Sequence, residues 1–224
     1  MNYYNELPVF QLLAKHYVIT ERLSLGMSGW WRSICLKYAR LKPGDKVLDL
    51  MCGDGRVWPQ IRKYIGEKGK VVGLDYCQEM LLNLPEKDRH LAVCQPFHKN
   101  DFSDASMDSV VSMFGMKTLS TMEKKQLMGE INRVLKPGGH FALIELQMPK
   151  NIIMRSLVKL QIKFFGLIAS VFCPDKKASL NHLNDYMVHF AKTNHTIFYS
   201  PTTITTQIRT AFGGLLLIVY GRKL

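Results

Sequence analysis

Four residues between positions 49 and 75 have the types and spacing to hold a nucleoside. Asp49 stands in the run Val47-Leu48-Asp49-Leu50, Gly53 and Gly55 follow it, and Asp75 closes the next apolar stretch twenty residues after Gly55. Glycine lets the backbone approach a ligand closely and take positive φ. A loop that enters a helix offers unpaired N–H groups and the positive end of a dipole. A carboxylate at the end of the following strand stands where it can accept both hydroxyls of a ribose. A dinucleotide loop would want a third glycine for close helix–strand packing, but the sequence Gly53-Asp54-Gly55-Arg56-Val57-Trp58 puts a tryptophan there. Asp54 would repel a diphosphate, whereas it suits a ligand carrying an ammonium and a sulfonium. The residues therefore favour S-adenosylmethionine (SAM) over a nicotinamide dinucleotide.

The elements around these residues alternate. Pro43-Gly44-Asp45 is a turn, 47–50 a buried strand, and 57–65 a helix that tolerates Pro59 in its first turn. "KVVGLDY" is a second strand, and 78–84 a short helix stopped by Pro85. "HLAVCQ" and "MDSVVSMF" are strands three and four. "MEKKQLMGEINRVL" is a helix with Met122, Leu127, Ile131 and Val134 on one face, closed by "KPGG", and "HFALIEL" is strand five. This alternation predicts a parallel sheet with helices on both faces and ligands at the carboxyl ends of the strands.

Residues 5–40 read as helical, with Val9, Phe10, Leu13 and Tyr17, then Ile34, Tyr38 and Leu41, at helical spacing and a break at "LSLGMSGWW". Beyond residue 148 come an apolar, basic-studded helix and two expected strands, "HTIFYS" and "GGLLLIVYGRKL". The chain reads as one domain over 1–224, with a helical cap (1–40), a core (41–147) and a substrate cap with final strands (148–224).

The chain has 224 residues, 47% apolar and 21% charged, in the range of a globular domain with a full core. No run of about 18 uncharged apolar residues predicts a spanning helix, and no basic-then-apolar start predicts a signal peptide. Cys35, Cys52, Cys77, Cys94 and Cys173 are odd in number and lack any C-x-x-C pair, as expected of reduced cytoplasmic thiols. His182, His189 and His195 have poor ligand spacing, so no metal is expected. The net charge of +12 favours an anionic contact or is a solvated basic surface. Arg155, Lys159 and Lys163 recur beside Ile152, Ile162 and Phe165. That pattern suits either a helix on the inner face of an anionic membrane or one packed on the domain.

From about Tyr17 to Leu146 the chain resembles class I SAM-dependent methyltransferases, most closely the ubiquinone/menaquinone-biosynthesis C-methyltransferase (UbiE-like) family. The stretches that carry the resemblance are "LSLGMSGWWR", "LKPGDKVLDLMCGDG", "GKVVGLDYCQEML", "DFSDASMDSVVSMFGM" and "INRVLKPGGHFALIEL". It implies a Rossmann-like, doubly wound α/β fold with a mostly parallel seven-stranded sheet and helical caps at both ends. It also implies roles. Asp49 and the backbone of Met51, Cys52, Gly53, Asp54 and Gly55 would hold the methionine part of SAM. Asp75 would take the ribose, with Tyr76 and Met80 against ribose or adenine. Gln95, Pro96 and Phe97 would reach adenine, and Phe114 and Gly115 would line the methionine side and the substrate mouth. After strand four the family often reads F-G-L-R-N, where this chain has Phe114-Gly115-Met116-Lys117-Thr118.

Methyl transfer to a ring carbon calls for a base or a cationic stabiliser. Tyr17 and Lys117 are the leading candidates, with His16 and Tyr186 open. The acceptor is expected to be a small lipophilic molecule such as a quinone-like ring. The alternatives are a phospholipid head-group amine at a membrane surface and a SAM-fold protein that binds without transferring methyl. Nucleic acid is disfavoured, because "SMFGM" lacks the Asn/Asp-Pro-Pro-aromatic motif after strand four.

Overall fold

The computed structural model describes residue 11 and residues 26–172, 188–190, 198 and 203–224. The chain order is α1 (Met27–Ala39), β1 (Lys46–Leu50), α2 (Trp58–Ile65), β2 (Lys70–Asp75), α3 (Gln78–Leu81), β3 (Ala92–Cys94), β4 (Met107–Met113), α4 (Thr121–Val134), β5 (Leu135–Leu146), α5 (Ile152–Phe172), β6 (Ile204–Ala211) and β7 (Leu216–Lys223). The seven strands form one sheet ordered β3-β2-β1-β4-β5-β7-β6. The first five are parallel, while β7 runs antiparallel to β5 and β6 antiparallel to β7.

The central strands bury both faces. Leu48, Val110, Phe141 and Leu143 pack with Leu127, Ile131 and Val134 of α4. Their neighbours Val47, Val111, Ala142 and Ile144 pack with Cys35 and Leu36 of α1 and Ile61 and Ile65 of α2. That period of two under helices on both sides is the physical basis of the continuous apolar runs.

Three local expectations need correction, while the break expected at "LSLGMSGWW" falls at Gly26, a left-handed cap with φ 79° before α1 starts at Met27; Gly29 lies inside the helix. Burial of Trp31, Cys35, Leu36 and Ala39 outweighs the low helix propensity of Gly29. "KPGG" does not simply close α4. β5 pairs Leu135 with Met107 and next His140 with Ser109, so residues 136–139 bulge out of the ladder. Met122 is 65% exposed; the buried face of α4 is instead Lys124, Leu127, Met128, Ile131 and Val134. The short helix after β2 ends at Leu81 rather than Leu84.

Of "HTIFYS" only Phe198 is described, buried in the core and outside the sheet. The seventh strand is instead β6, whose Thr-rich sequence fits an edge position with alternating partial burial. Residues 1–25 of the N-terminal cap lie outside the described residues except for Gln11, whose amide donates to Glu79 Oε1 at 2.8 Å, just after β2.

Candidate active site

The sheet order reverses between β1 and β4, which opens a crevice at their carboxyl ends. Asp49, the 51–55 loop, Asp75 and Phe114-Gly115 all converge there. The loop is a series of left-handed turns, with φ 58° at Met51, 55° at Gly53 and 67° at Gly55. Cys52 N–H donates to Leu74 O at 3.1 Å and Gly55 N–H to Cys52 O at 3.0 Å. Asp75 holds the loop from the next strand. Its Oδ2 accepts from Gly53 N–H at 2.8 Å and its Oδ1 from Cys77 N–H at 2.9 Å. Burial raises the Asp75 pKa, and these backbone donors oppose the rise.

Asp49 is buried, and Trp58 Nε1–H donates to its Oδ2 at 3.0 Å. Asp49 Oδ1 has no hydrogen-bond partner among the described residues. Desolvation pushes the Asp49 pKa up to about 7, and the charge of Asp75 adds to the rise. The Trp58 bond and the nearby Arg32 cation pull the other way.

Both large side chains of the loop are matched by glycines on neighbouring strands. A Cβ at Gly73 of β2 would lie 2.6 Å from the Trp58 ring and from Cys52 Sγ, so only glycine admits the tryptophan. A Cβ at Gly115 would lie 2.8 Å from Met51 Sδ. Met80 covers Gly53, its Cε 2.9 Å from where a Cβ would stand. Asp54 pairs with Arg56 at 2.5 Å, so its charge is already partly answered within the loop.

The structure brings Tyr76 and Gln95 beside Asp75. Gln95 N–H donates to Asp75 O at 3.0 Å, and its side-chain amide donates to Asp101 Oδ2 at 2.8 Å. Gln95 Oε1 is buried with no partner among the described residues. Pro96 is half-buried, and the Phe97 side chain lies in the core while its O accepts from Asn100 Nδ2 at 2.7 Å. Phe114, with φ 67°, lies edge-on to Trp31 at 6.4 Å and has the Arg32 guanidinium 5.3 Å from its ring centroid.

Of the two leading catalytic candidates, Tyr17 lies outside the described residues, as do His16 and Tyr186. Lys117 Nζ donates to Phe114 O and pairs with Glu145 Oε1 at 3.2 Å, while Lys117 N–H donates to Glu145 Oε2 at 2.9 Å. Its ammonium thus braces the turn after β4.

Sequence reasoning passed over Arg32, Glu145 and Gly73. Arg32 is a buried cation beside two tryptophans in a helix. Glu145 is a single acid in the apolar strand "HFALIEL" and is fully buried. Those mismatches of residue type and context were the available signals. A separate open cavity of about 370 Å³, lined by Lys37, Tyr38, Arg40, Gln207, Arg209 and Tyr220, involves α1 and the β7–β6 edge and holds none of the residues above.

Sheet order, switch-point loop and strand-end acid together are the fold of class I SAM-dependent methyltransferases. A solved SAM-dependent methyltransferase from Aquifex aeolicus superposes with a TM-score of 0.54 over 86% of this chain and 89% of its own, at 22% identity. The model of the ubiE/COQ5 methyltransferase family matches residues 5–197, and the chain belongs to that family. Among its relatives, a demethylmenaquinone methyltransferase from Lactobacillus johnsonii is 34% identical over 66% of this chain and 63% of its own length. A 2-phytyl-1,4-naphtoquinone methyltransferase from Synechocystis sp. is 33% identical over 64% of this chain and 63% of its own. The chain thus spans just under two thirds of these curated relatives. No helix among the described residues is long and apolar enough to cross a membrane.

Proposed function

We propose that the chain transfers the methyl group of SAM to a ring carbon of a lipophilic, quinone-type acceptor. One observation carries the cofactor: a buried carboxylate, Asp49, has one oxygen held by Trp58 and the other without a partner among the described residues. A buried acceptor in that state calls for a donor, and a cationic one answers the charge as well. The ammonium of the methionine part fits. Asp75 retains lone pairs for the ribose hydroxyls, the Gly53 backbone lets them approach, and Gln95 Oε1 suits an adenine amino group. When bound, SAM supplies an electrophilic sulfonium methyl.

The protein's part is to align the acceptor, exclude water and stabilise the anionic ring that attacks. The names of the relatives support a quinone-like ring over a phospholipid amine. The matched family and the relatives' names, all methyltransferases, support transfer over binding alone. A lipophilic acceptor and a charge of +12 support work at an anionic membrane face.

Calorimetric titration with SAM and with its demethylated product tests the cofactor, and absence of binding by both rejects it. Mass spectrometry after incubation with labelled SAM and a short-tailed demethylated naphthoquinone tests the acceptor. Methylation of phospholipid head groups in its place would move the reading to the amine.

A further inference from the structure

α5 starts at the carboxyl end of the sheet, directly after β5. Asn151 Oδ1 caps it, accepting from Ile153 N–H at 2.9 Å and Met154 N–H at 3.1 Å. One face is fixed to the domain. Val158 is buried and packs with Met148, Leu146, Ile162 and Leu215. Met154 lies against Gly213 of the β6–β7 turn. Arg155 also belongs to this face, donating to Pro149 O at 3.0 Å and Lys150 O at 3.2 Å, so it is not among the outward cations.

The opposite face is apolar and uncovered. Ile153, Leu157 and Leu160 are 69%, 55% and 64% exposed. Their spacing of four and three residues puts them in one stripe along the helix. Lys159 and Lys163 are exposed on the flank of that stripe, and α5 contains no acidic residue over its whole length. Trp30, 56% exposed, stacks edge-on to Phe212 at 4.9 Å on the side of the fixed face, where Gly213 meets Met154.

We infer that this stripe is the surface by which the enzyme lies on an anionic lipid bilayer, with Ile153, Leu157 and Leu160 in the acyl boundary and Lys159 and Lys163 among the head groups. The inference rests on the proposed lipophilic acceptor for its purpose. The charge pattern selects the occupant. A second copy of α5 would set lysines against lysines with no acid to answer them, whereas anionic head groups complement them. Docking in this way turns the carboxyl end of the sheet, where the acceptor must enter, toward the phase that dissolves its tail.

The test is flotation of the full chain with vesicles of phosphatidylcholine alone and of phosphatidylcholine mixed with phosphatidylglycerol. The wild type is expected to float with the mixed vesicles. Lys159→Gln/Lys163→Gln is expected to lose roughly tenfold or more of that affinity, at about fivefold per lysine near the surface. Ile153→Ser/Leu157→Ser/Leu160→Ser is expected to float with neither. A wild type that floats with neither vesicle overturns the inference, as does a triple variant that floats like the wild type. So does a wild-type dimer that the triple variant dissociates, since a second copy would then own the stripe. Methylation of a short-tailed, water-soluble acceptor without vesicles is expected to be equal in all three proteins. That readout separates the two ideas: a failed flotation with intact soluble activity removes the membrane surface alone.

Discussion

Trp58 Nε1 donates a 3.0 Å hydrogen bond to Asp49 Oδ2 across the loop that the two residues bracket. The tryptophan that argues against a dinucleotide loop therefore supports the acid near the end of β1 and belongs to the proposed cofactor cradle. Its ring reaches that position only because Gly73 leaves room. Gly73→Ala sets a methyl group 2.6 Å from both Trp58 and Cys52 and is expected to cost about 1–3 kcal/mol of overpacking. Trp58→Phe keeps a ring but removes the donor, and a similar loss of about 1–3 kcal/mol is expected from the stranded carboxylate. Urea unfolding of both variants measures this, and wild-type stability in either would show that the pair is incidental.

Asp49 carries a pH dependence of definite sign. Its pKa is raised from 3.8 to about 7, chiefly by burial, so between those values the folded protein keeps a proton that the unfolded chain has released. By linkage, its contribution to stability is fully present below the unfolded value and is lost as pH rises toward and through 7. Asp49→Asn is therefore expected to be more stable than wild type at pH values above 7, with the gap closing as pH falls through the acid range. Affinity for SAM is expected to do the reverse. In the wild type it rises with pH until Asp49 is ionised, and in Asp49→Asn it is weak and flat. A variant that matched the wild-type profile in calorimetry would remove Asp49 from the ammonium site.

Asp75 holds the loop and is proposed to take the ribose as well, and substitutions separate the two tasks. Asp75→Ala strands the Gly53 and Cys77 N–H groups, so its unfolding midpoint should drop along with SAM binding. Gly53→Ala leaves both bonds in place. The new Cβ meets mainly the flexible end of Met80, though the residue is held at φ 55°. Its expected stability loss is about 1–2 kcal/mol, and the added methyl group displaces Met80 in the loop proposed to hold the cofactor. Titration with the demethylated cofactor should show Gly53→Ala losing binding out of proportion to its stability, and proportional losses would assign the loop a purely structural role.

The proposed cofactor half of the site is legible because it is local. Asp49 and Asp75 lie at the ends of adjacent strands with Gly53 and Gly55 in the loop between, where apolar runs and glycines announce the turns. What escaped notice depends on contacts between elements. Met51 and Trp58 look intrusive until Gly115 on the next strand end and Gly73 on β2 are seen opposite them. Arg32 and Glu145 become meaningful only once α1 and β5 are laid against the crevice. β6 was missed because an edge strand with Thr205, Thr206, Gln207 and Thr210 buries too little to show an apolar run. The bulge at 136–139 was read as a helix stop because glycine and proline mark both.

Lys117 offered a cationic group for catalysis by its place after strand four, and its partners redefine what its removal should do. Its side chain is 12% exposed and Glu145's is fully buried. Breaking a buried pair by deleting one partner strands the other charge, at a cost of about 3–5 kcal/mol. Lys117→Met is therefore expected to destabilise strongly and to loosen the Phe114–Gly115 turn, raising KM for the acceptor. Lys117→Met/Glu145→Gln removes the stranded charge along with the ammonium, and should recover much of the stability by a positive coupling in a double-mutant cycle. The turnover of that double variant separates the roles. If kcat stays within about tenfold of wild type, the lysine positions the turn. If stability recovers while kcat falls by several orders of magnitude, the ammonium acts on the reacting ring itself.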